Sequence, residues 1–371
     1  MDKTLENPFK THLDLKRYPH QKRELLQAWD SADELILQYL GEQYLGETGL
    51  EDKKILILND SFGALSCALE DFNITVYTDS YVSFKGTQLN SRNRVTPLHR
   101  IADLSGPYDL VLIRVPKNMS FFEDLLCHLS GNLHSGSKII CGYMVKHQAN
   151  ASFELLNRYI GPTTTSLARK KARLIFADFQ RGPVPSPYPL QVALDSFEIP
   201  FVNHSNLFSR EKLDIGTRFL LDHLPQGNFA TILDLGCANG IVGIAAKRLN
   251  PAAKMIFSDD SNMAVQSAQT NYRSFFQTPE AEFLWTNCFE NQTPGTVDLV
   301  ICNPPFHQGN TQGDFIAWQM FTDSHRALAA GGTLRVIGNS NLHHPAVLQR
   351  IFGNSTVVAK NSKFTIVDAF N

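Results

Sequence analysis

The clearest indication of the fold in the second half of this chain is the stretch Ile232-Leu-Asp-Leu-Gly-Cys-Ala-Asn-Gly-Ile-Val-Gly-Ile-Ala245. Its opening residues form a short, mostly apolar run typical of a buried strand, and Ile241–Leu249 has the apolar spacing of a helix. Between them, Gly236 and Gly240 mark a tight turn that leads from the strand directly into the helix. A strand, a glycine-rich turn and a helix in this order are typical of α/β proteins that bind a ligand at the carboxyl edge of the sheet.

Outside this turn, short apolar segments alternate with segments of helical spacing. We expect strands at Thr231–Leu235, Met255–Ser258, Leu299–Cys302 and Thr333–Ile337, and further helices at Met263–Phe275 and Phe315–Leu328. This alternation predicts an α/β fold, a Rossmann-like domain in which a mostly parallel twisted sheet is flanked by helices.

The first half of the chain repeats the same pattern. Four matches follow in the same order: Ile55–Ala68 with Ile232–Ala245, Val76–Asp79 with Ile256–Asp259, Tyr108–Pro116 with Val297–Pro305, and Ala172–Phe179 with Lys363–Phe370. The four prolines of Arg181–Pro189 do not fit a regular element and indicate a linker. We therefore expect two tandem domains of one fold, residues 1–187 and 188–371. The alternative is that the matches reflect only the apolar strands that all α/β domains share.

Composition excludes several classes of protein. With 371 residues, 43% of them hydrophobic, the chain resembles a soluble globular protein large enough for two domains. A net charge of −2 excludes wrapping of nucleic acid by bulk charge, so any such contact depends on local patches. The six cysteines form no C-x-x-C pair, which favours reduced, buried thiols. A polar N-terminal segment and the lack of a long apolar stretch predict a cytoplasmic protein without a membrane span.

The glycine-rich turn carries the first candidate binding residues. Asp234 lies just inside the strand end, where a carboxylate repels a pyrophosphate but attracts an amino group. We therefore expect Gly236, Cys237 and Gly240 to hold a cofactor with an amino-acid end rather than a chain of phosphates. A purely structural turn is the alternative.

The next predicted strand ends in a pair of acids, Asp259 and Asp260. An acidic side chain about 20 residues beyond such a turn commonly binds the hydroxyls of a ribose. The repeat and the strand end favour Asp259 for this role, and Asp260 is alternatively a helix cap exposed to solvent.

The most specific feature is Asn303-Pro-Pro-Phe306, which follows the strand Leu299–Cys302 directly. Pro304 and Pro305 fix the backbone and remove two N–H donors, so that carbonyl groups face a ligand. The Asn303 side-chain oxygen and the Pro304 carbonyl can both accept from one planar amine, such as guanine N2 or adenine N6. Phe306 can stack on the base, a contact worth about 1–3 kcal/mol. A strand-ending turn without a function is the alternative.

Together these residues resemble a known family. Asp234-x-Gly-x-x-x-Gly240, Asp259 and Asn303–Phe306 resemble the class I S-adenosylmethionine-dependent methyltransferases that modify amines. The longer strings Asn303-Pro-Pro-Phe-His-Gln-Gly309 and Leu207–Gly216 resemble the RsmC/RlmG family of ribosomal RNA guanine-N2 methyltransferases, over nearly the whole chain. Three segments are more similar to its large-subunit branch: Asn59–Ala68, Gly161–Thr165 and Lys170–Arg173.

The resemblance implies a cofactor, a partner and further roles. It implies that S-adenosylmethionine is bound by Asp234, Gly236, Gly240 and Asp259, and that Asn287 lies near its adenine. It implies that Asn303–Phe306 hold a guanine of ribosomal RNA, with 23S RNA favoured. The family usually has glycine where this chain has Ala238, and we expect a slightly reshaped loop that still binds the cofactor.

The first half has lost these residues. Ile57 replaces Asp234, Asn59 replaces Gly236, Arg114 replaces Asn303 and Val115 replaces Pro304. We therefore interpret it as a degenerate methyltransferase-like domain kept for RNA recognition. Its best candidates for phosphate contacts are Arg169, Lys170, Lys171 and Arg173; a solvated charged face is the alternative.

We expect direct in-line transfer to a base turned out of its stack, with no covalent intermediate and no metal. The same motif serves other planar nitrogens, so methylation of 16S ribosomal RNA guanine, DNA adenine-N6 or protein glutamine-N5 are rival interpretations. A non-catalytic RNA-binding module of ribosome assembly is a rival of a different class.

Overall fold

The computed structural model describes residues 4–10, 12–20, 24–46, 49–147, 150–277, 281–305 and 311–371. The chain divides into two compact units, Met1–Tyr188 and Pro189–Asn371. This division falls one residue beyond the end of the first domain expected from the proline-rich segment.

The first unit is built around a six-stranded sheet with the order β2-β1-β3-β4-β6-β5. Its elements are α1 (Ser31–Tyr44), β1 (Ile55–Leu58), α2 (Ala64–Ala68), β2 (Ile74–Tyr77), α3 (Tyr81–Asn90), β3 (Tyr108–Arg114), α4 (Met119–Ser130), β4 (Leu133–Met144), α5 (Asn150–Tyr159), β5 (Thr163–Thr165) and β6 (Ala172–Asp178). The strands β1 to β4 pair in parallel, whereas β6 pairs antiparallel with both β4 and β5.

The second unit contains a small antiparallel pair, β7 and β8, and a seven-stranded sheet with the order β11-β10-β9-β12-β13-β15-β14. Its elements are β7 (Leu190–Val192), β8 (Phe201–Asn203), α6 (Ile215–Leu221), β9 (Thr231–Leu235), α7 (Ile241–Leu249), β10 (Lys254–Asp259), α8 (Asn262–Phe275), β11 (Ala281–Trp285), β12 (Val297–Cys302), α9 (Thr311–Ala327), β13 (Leu328–Asn339), α10 (His344–Phe352), β14 (Thr356–Lys360) and β15 (Phe364–Phe370). The strands β9 to β13 pair with one another in parallel, whereas β15 pairs antiparallel with both β13 and β14.

The central strands of the second sheet are apolar on both faces. In β9, Ile232 belongs to one buried cluster, whereas Leu233 and Leu235 belong to another. Successive residues of a strand point to opposite faces, so two clusters along one strand mean that both faces are covered. The predicted fold class, two Rossmann-like units with mostly parallel sheets flanked by helices, is confirmed.

Several details of the second unit differ from the sequence-based expectation, which also gave no bounds for β7, β8, α6, α10 and β14. Leu328, expected to end a helix, begins β13. The edge strand β11 was not predicted, because Ala281–Trp285 carries a polar residue and is only partly buried on both faces. Edge strands have fewer packing partners, so their pattern is weaker than that of a central strand.

The six cysteines are free, and five of them are buried, as their apolar surroundings suggested. Among the described helices, none is both long and apolar enough to cross a membrane.

Candidate active site

The carboxyl ends of four neighbouring strands bring the expected site residues to one edge of the second sheet. Leu235 at the end of β9 pairs with Ser258 of β10 and with Cys302 of β12. On the far side of β10, Asp259 pairs with Trp285 of β11. The segments that leave these four strands therefore start side by side, as expected for a ligand site of an open α/β sheet.

The turn after β9 needs unusual backbone angles at three positions. The φ angles of Gly236, Ala238 and Gly240 are 78°, 47° and 81°. Glycine adopts this region without strain, but a residue with a side chain pays about 1–2 kcal/mol. The N–H groups of Gly236 and Cys237 both donate to the Ser258 carbonyl, at 2.8 and 3.0 Å. These two hydrogen bonds fix the turn on the neighbouring strand β10.

Asp234 connects β9 to the first turn of α7. Its carboxylate is 3% exposed, and Oδ2 accepts a hydrogen bond from the Gly243 N–H at 2.8 Å. A side chain at position 243 would overlap the Phe257 ring, so this glycine is what lets helix and strand approach. Burial, reinforced by the nearby Asp259 charge, raises the pKa of Asp234 to about 7.

Of the two acids that follow, Asp259 is the one that contacts the turn through its side chain. Oδ2 accepts from the Ala238 N–H and Oδ1 accepts from the Ser261 N–H, each at 2.9 Å. For Asp260, the backbone carbonyl accepts from the Trp285 indole N–H at 2.8 Å. Among the described residues, no three His, Cys, Asp or Glu side chains gather into a group that could hold a metal ion.

Two further expected residues lie at the same edge. Cys237 is 3% exposed, and burial raises the pKa of its thiol well above the ordinary value, so the thiol is protonated at neutral pH. Asn287 follows β11, is 7% exposed, and its carbonyl accepts from the Glu290 N–H at 3.0 Å.

Asn303 leaves β12 directly beside the turn and has one satisfied and one unsatisfied side-chain group. Its Nδ2 donates to the Thr217 hydroxyl at 3.1 Å. Its Oδ1 is buried and has no hydrogen-bond partner among the described residues. Pro304 is buried and Pro305 is exposed, whereas Phe306 lies outside the described residues.

Thr217 was not singled out from the sequence. It is the third residue of α6, whose N-cap is Asp214, and it is 6% exposed. Asp214 Oδ2 accepts from the Thr217 N–H at 2.9 Å and lies 3.4 Å from its hydroxyl oxygen. The available signal was a capping pattern, an aspartate three residues before a threonine, which indicates a helix start but no function.

The matching edge of the first unit is occupied by charged side chains that pair with one another. The Arg114 guanidinium contacts the carboxylate of Asp33 and lies 2.9 Å from that of Asp30. The Arg114 carbonyl accepts from the Asn59 side chain at 2.9 Å. Asp33 is buried, and desolvation raises its pKa to about 6 even though Arg114 opposes the shift. These contacts are intramolecular and leave a strand end closed by an ion-pair cluster.

The basic cluster of the first unit lies on a tight turn between Arg169 and Ala172. The two residues at its tip, Lys170 and Lys171, both have positive φ angles, 47° and 64°. Lys170 is paired with Glu34 of α1 at 2.8 Å, and Arg169 donates to a side chain of the same helix. Two of the four side chains expected to contact RNA are therefore already bonded within the unit.

Family models match both units. One described as the RLMG N-terminal domain matches residues 3–181, and one described as the methyltransferase small domain matches residues 198–368. Among solved structures, the Thermus thermophilus 16S rRNA N2 G1207 methyltransferase (RsmC) in complex with AdoMet and guanosine has a TM-score of 0.79. It is 19% identical, and the match covers 100% of this chain and 97% of that one. This likeness supports the fold.

Curated relatives match at much higher identity. A protein named Ribosomal RNA large subunit methyltransferase G from Stutzerimonas stutzeri (strain A1501) is 43% identical over 372 residues, or 98% of each chain. The protein of the same name from Pseudomonas aeruginosa (strain UCBPP-PA14) is 44% identical over 373 residues, again 98% of each chain. The resemblance noted in the sequence is therefore confirmed, and the chain belongs to the ribosomal RNA large subunit methyltransferase G family.

Proposed function

We propose that this chain transfers a methyl group from S-adenosylmethionine to the exocyclic N2 amine of a guanine in 23S ribosomal RNA. The observation that carries the proposal is the Asn303 side chain, whose buried Oδ1 has no partner among the described residues. Leaving a buried acceptor unsatisfied costs about 1–3 kcal/mol, so such a group in a native protein calls for an explanation. An incoming amine N–H supplies the missing donor.

The turn and its surroundings suit S-adenosylmethionine. When bound, this cofactor would supply a methyl group on a sulfonium, and the carbon–sulfur bond would break as the amine nitrogen bonds to the methyl carbon in line, leaving S-adenosylhomocysteine. The positive φ angles of Gly236 and Gly240 allow a ligand to approach the backbone, and Cys237 lies between them. Asp234 offers a buried carboxylate for the positive end of the cofactor. These features fit a cationic amino-acid end better than a pyrophosphate.

We assign the ribose to Asp259 rather than Asp260. Asp259 Oδ2 accepts the Ala238 N–H and Oδ1 accepts the Ser261 N–H, and a carboxylate is an acceptor-only group suited to a hydroxyl donor. The two N–H bonds fix the carboxylate beside the turn. Asn287, at the end of the neighbouring strand, is assigned to the adenine on the resemblance to the family alone.

On the target side, we assign Asn303 Oδ1 and the Pro304 carbonyl as the acceptors of hydrogen bonds from the two N–H groups of the guanine amine. These two hydrogen bonds draw the lone pair of the amine nitrogen out of conjugation with the guanine ring, which favours its attack on the methyl group. The same two acceptors stabilise the positive charge that develops on the nitrogen. The surplus proton leaves to solvent after transfer. Phe306 stacks on the base that has been turned out of the RNA.

The choice of 23S RNA rests on the relatives, whose printed names specify the large subunit. The solved structure named above is described as a 16S rRNA N2 methyltransferase and is only 19% identical to this chain. We assign RNA recognition to residues 1–187, with Arg169, Lys170, Lys171 and Arg173 as phosphate contacts, and catalysis to residues 188–371. A ribosomal RNA substrate in turn implies a cytoplasmic location.

The test is methyl transfer from labelled S-adenosylmethionine to deproteinised 23S RNA, deproteinised 16S RNA and both intact subunits, followed by nucleoside analysis. We expect N2-methylguanosine in 23S RNA or in the large subunit, and none in 16S RNA. Label in 16S RNA would retain the chemistry and change the substrate. No label in any RNA would overturn the proposal and return attention to DNA, protein or a non-catalytic role.

A further inference from the structure

The amide of Asn303 can adopt two orientations that differ by a half-turn, and only one of them presents oxygen to an amine. In the structure, Nδ2 points to the Thr217 hydroxyl and Oδ1 points away from it. The two ends of an amide have similar shape but opposite hydrogen-bonding character. Something must therefore select the orientation, because a flipped amide would set N–H donors against the N–H donors of the target.

The Thr217 hydroxyl makes this selection through Asp214. A carboxylate oxygen accepts, and Asp214 Oδ2 already accepts the Thr217 N–H at 2.9 Å. The hydroxyl oxygen lies 3.4 Å from the same Oδ2, so its single proton is directed there. The remaining lone pairs of the hydroxyl can only accept, and the group that donates to them is the NH₂ end of Asn303.

Resting on the function proposed above, we propose that Thr217 is a positioning residue for methyl transfer. Held by Asp214, it fixes the Asn303 amide with its oxygen toward the target amine. Thr217 contacts neither the amine nor the cofactor in this assignment and acts through Asn303. Residues that orient a functional group in this way commonly matter nearly as much as the group itself.

The packing of α6 places Thr217 within reach of Asn303. A side chain at Gly216 would come within 3.0 Å of the Phe364 ring, so this glycine lets the first turn of α6 lie close against β15. Thr217 is consequently 6% exposed, although it belongs to the first turn of a short helix.

The first unit gives independent support for this use of the helix. There the N-cap of α1 is Asp30 and its third residue is Asp33, the same two helix positions as Asp214 and Thr217. Both contact Arg114, which stands where the second unit has Asn303. In both units, therefore, the N-cap and third residue of the helix before the sheet hold the side chain at the end of the strand that lies beside the turn-bearing strand, β3 beside β1 and β12 beside β9.

The test compares Thr217→Val, which keeps the shape and removes the hydroxyl, with Thr217→Ser, which keeps the hydroxyl. The readouts are kcat and KM for the RNA that the wild type methylates, the Kd of S-adenosylhomocysteine by calorimetry, and the melting temperature. We expect the valine variant to lose about 10-fold in kcat, the size of one hydrogen bond, with an unchanged Kd. The serine variant should recover most of this loss. Thr296→Val, at an exposed threonine beyond the opposite end of β12, is the matched control and should behave like the wild type.

A second readout does not depend on turnover. The side-chain amide signals of Asn303 are identified in a ¹H–¹⁵N spectrum as the pair that disappears in Asn303→Asp. Loss of the Thr217 acceptor should shift this pair in the valine variant and leave it nearly unchanged in the serine variant.

Three results would overturn the inference: wild-type kcat in Thr217→Val, an equal loss in Thr217→Ser, or a loss that follows the Kd or the melting temperature. If the wild type methylates no RNA, the proposed function fails, and the amide signals alone decide whether Thr217 orients Asn303.

Discussion

The two units build the same strand end and complete it in opposite ways. Arg114 after β3 and Asn303 after β12 occupy matching places, each next to the strand that carries the turn. Arg114 is neutralised by Asp30 and Asp33, whereas the Asn303 oxygen is buried without a partner among the described residues. The ion cluster is neutralised in charge, although Arg114 Nε is buried without a hydrogen-bond partner among the described residues, whereas the second unit leaves a buried neutral acceptor available for a substrate. At these two matching strand ends the units therefore differ in their side chains, whereas the pairing of the strands is alike.

The turns make the same point. Asn59 and Gly63 have positive φ angles, as do their counterparts Gly236 and Gly240. Asparagine is among the few residues other than glycine that adopt this region easily. The shape of the turn has thus survived the loss of its first glycine.

The acid that accepts a hydrogen bond from the first turn of the following helix comes from a different position in each unit. In the second unit, Asp234 in the strand accepts the Gly243 N–H. In the first unit, the matching N–H of Ser66 is accepted by Asp60, which lies in the turn itself. The helix start is satisfied in both, but only in the second unit does the carboxylate come from the strand end, the position that we assign to the cofactor's positive end.

Replacing Asn303 by alanine should have the largest effect on activity. Loss of a preorganised group that stabilises developing charge costs about 10²–10³-fold in kcat, so we expect at least this loss. Because Oδ1 has no protein partner among the described residues, only the Nδ2 bond to Thr217 is lost, and the stability should fall by no more than about 1 kcal/mol. Steady-state methylation assays measure turnover, calorimetry with S-adenosylhomocysteine measures cofactor affinity, and thermal denaturation measures stability.

A loss of cofactor affinity along with turnover in Asn303→Ala would contradict the assignment of Asn303 to the target amine, because the residue would then belong to the cofactor site. Asn354→Ala, at a half-buried, hydrogen-bonded asparagine between α10 and β14, controls for general effects of removing an amide from this unit.

Replacing Arg114 by alanine should instead damage stability. It leaves Asp33, whose side chain is 6% exposed, without its cation, and breaking such a pair costs about 3 kcal/mol. We expect a lower urea midpoint for the first unit and an unchanged Kd for S-adenosylhomocysteine. Arg158→Ala, which removes an exposed arginine 4.0 Å from its partner, should cost far less.

The pH dependence of this loss has a definite sign. Burial raises the pKa of Asp33 to about 6 in the presence of Arg114, and removing the cation raises it further. An acid with a raised folded-state pKa destabilises the fold as the pH rises from its unfolded value through the folded one. The deficit of Arg114→Ala should therefore shrink as the pH falls toward about 6, because Asp33 takes up its proton at a higher pH in the variant, and should level off below about 6. A deficit that grows toward acid pH would contradict the assignment of the buried charge to Asp33.

Most of this comparison was predictable from the sequence. The strand–turn–helix stretch, the duplicated segments and the strand limits Thr231–Leu235 depend on local apolar spacing and on glycine, which are read without a structure. Fold class and family followed from them and were confirmed. The assignments of individual residues to cofactor, base and RNA remain predictions.

Contacts between distant segments were not predictable. Nothing near Asn303 in the sequence points to Thr217, which lies 86 residues earlier. In the same way, Lys170 was grouped with its basic neighbours, but its bond to Glu34 spans 136 residues. Such pairs follow from how helices pack on the sheet, and no local pattern encodes that packing.

The protonation of Asp234 makes a further difference between the two units testable through the pH dependence of cofactor binding. The first unit has the buried Ile57 at this position, so a charge here is not required by the fold. The pKa of Asp234 is raised to about 7, and a cationic cofactor favours the ionised form. The affinity for S-adenosylmethionine should therefore rise as the pH increases toward and through about 7, by roughly 10-fold per pH unit at most for one proton. Calorimetry between pH 5.5 and about 7.5 keeps the cofactor's α-amino group mostly charged.

Asp234→Asn supplies the control, because an amide of the same shape does not titrate. Its affinity should be lower and nearly independent of pH over the same range. A rise with pH that persists in the asparagine variant would assign the titration to another group.

Ala238 is the finest test, because it is the position at which the sign of φ differs between the two turns. Its φ is 47°, whereas Ser61 at the matching position is not among the residues with positive φ. This angle directs the Ala238 N–H to Asp259 Oδ2. Ala238→Gly removes a strain of about 1–2 kcal/mol, and the added freedom of the unfolded chain offsets about 0.4–1 kcal/mol of it. We expect a small net gain in stability and a Kd for the cofactor within about 3-fold of the wild type, since less than about 0.7 kcal/mol is at stake. Thermal denaturation and a cofactor titration check both. A large change in Kd would mean that the alanine side chain itself shapes the cofactor pocket. The difference between the two turns at this position would then lie in the side chain and not in the φ angle.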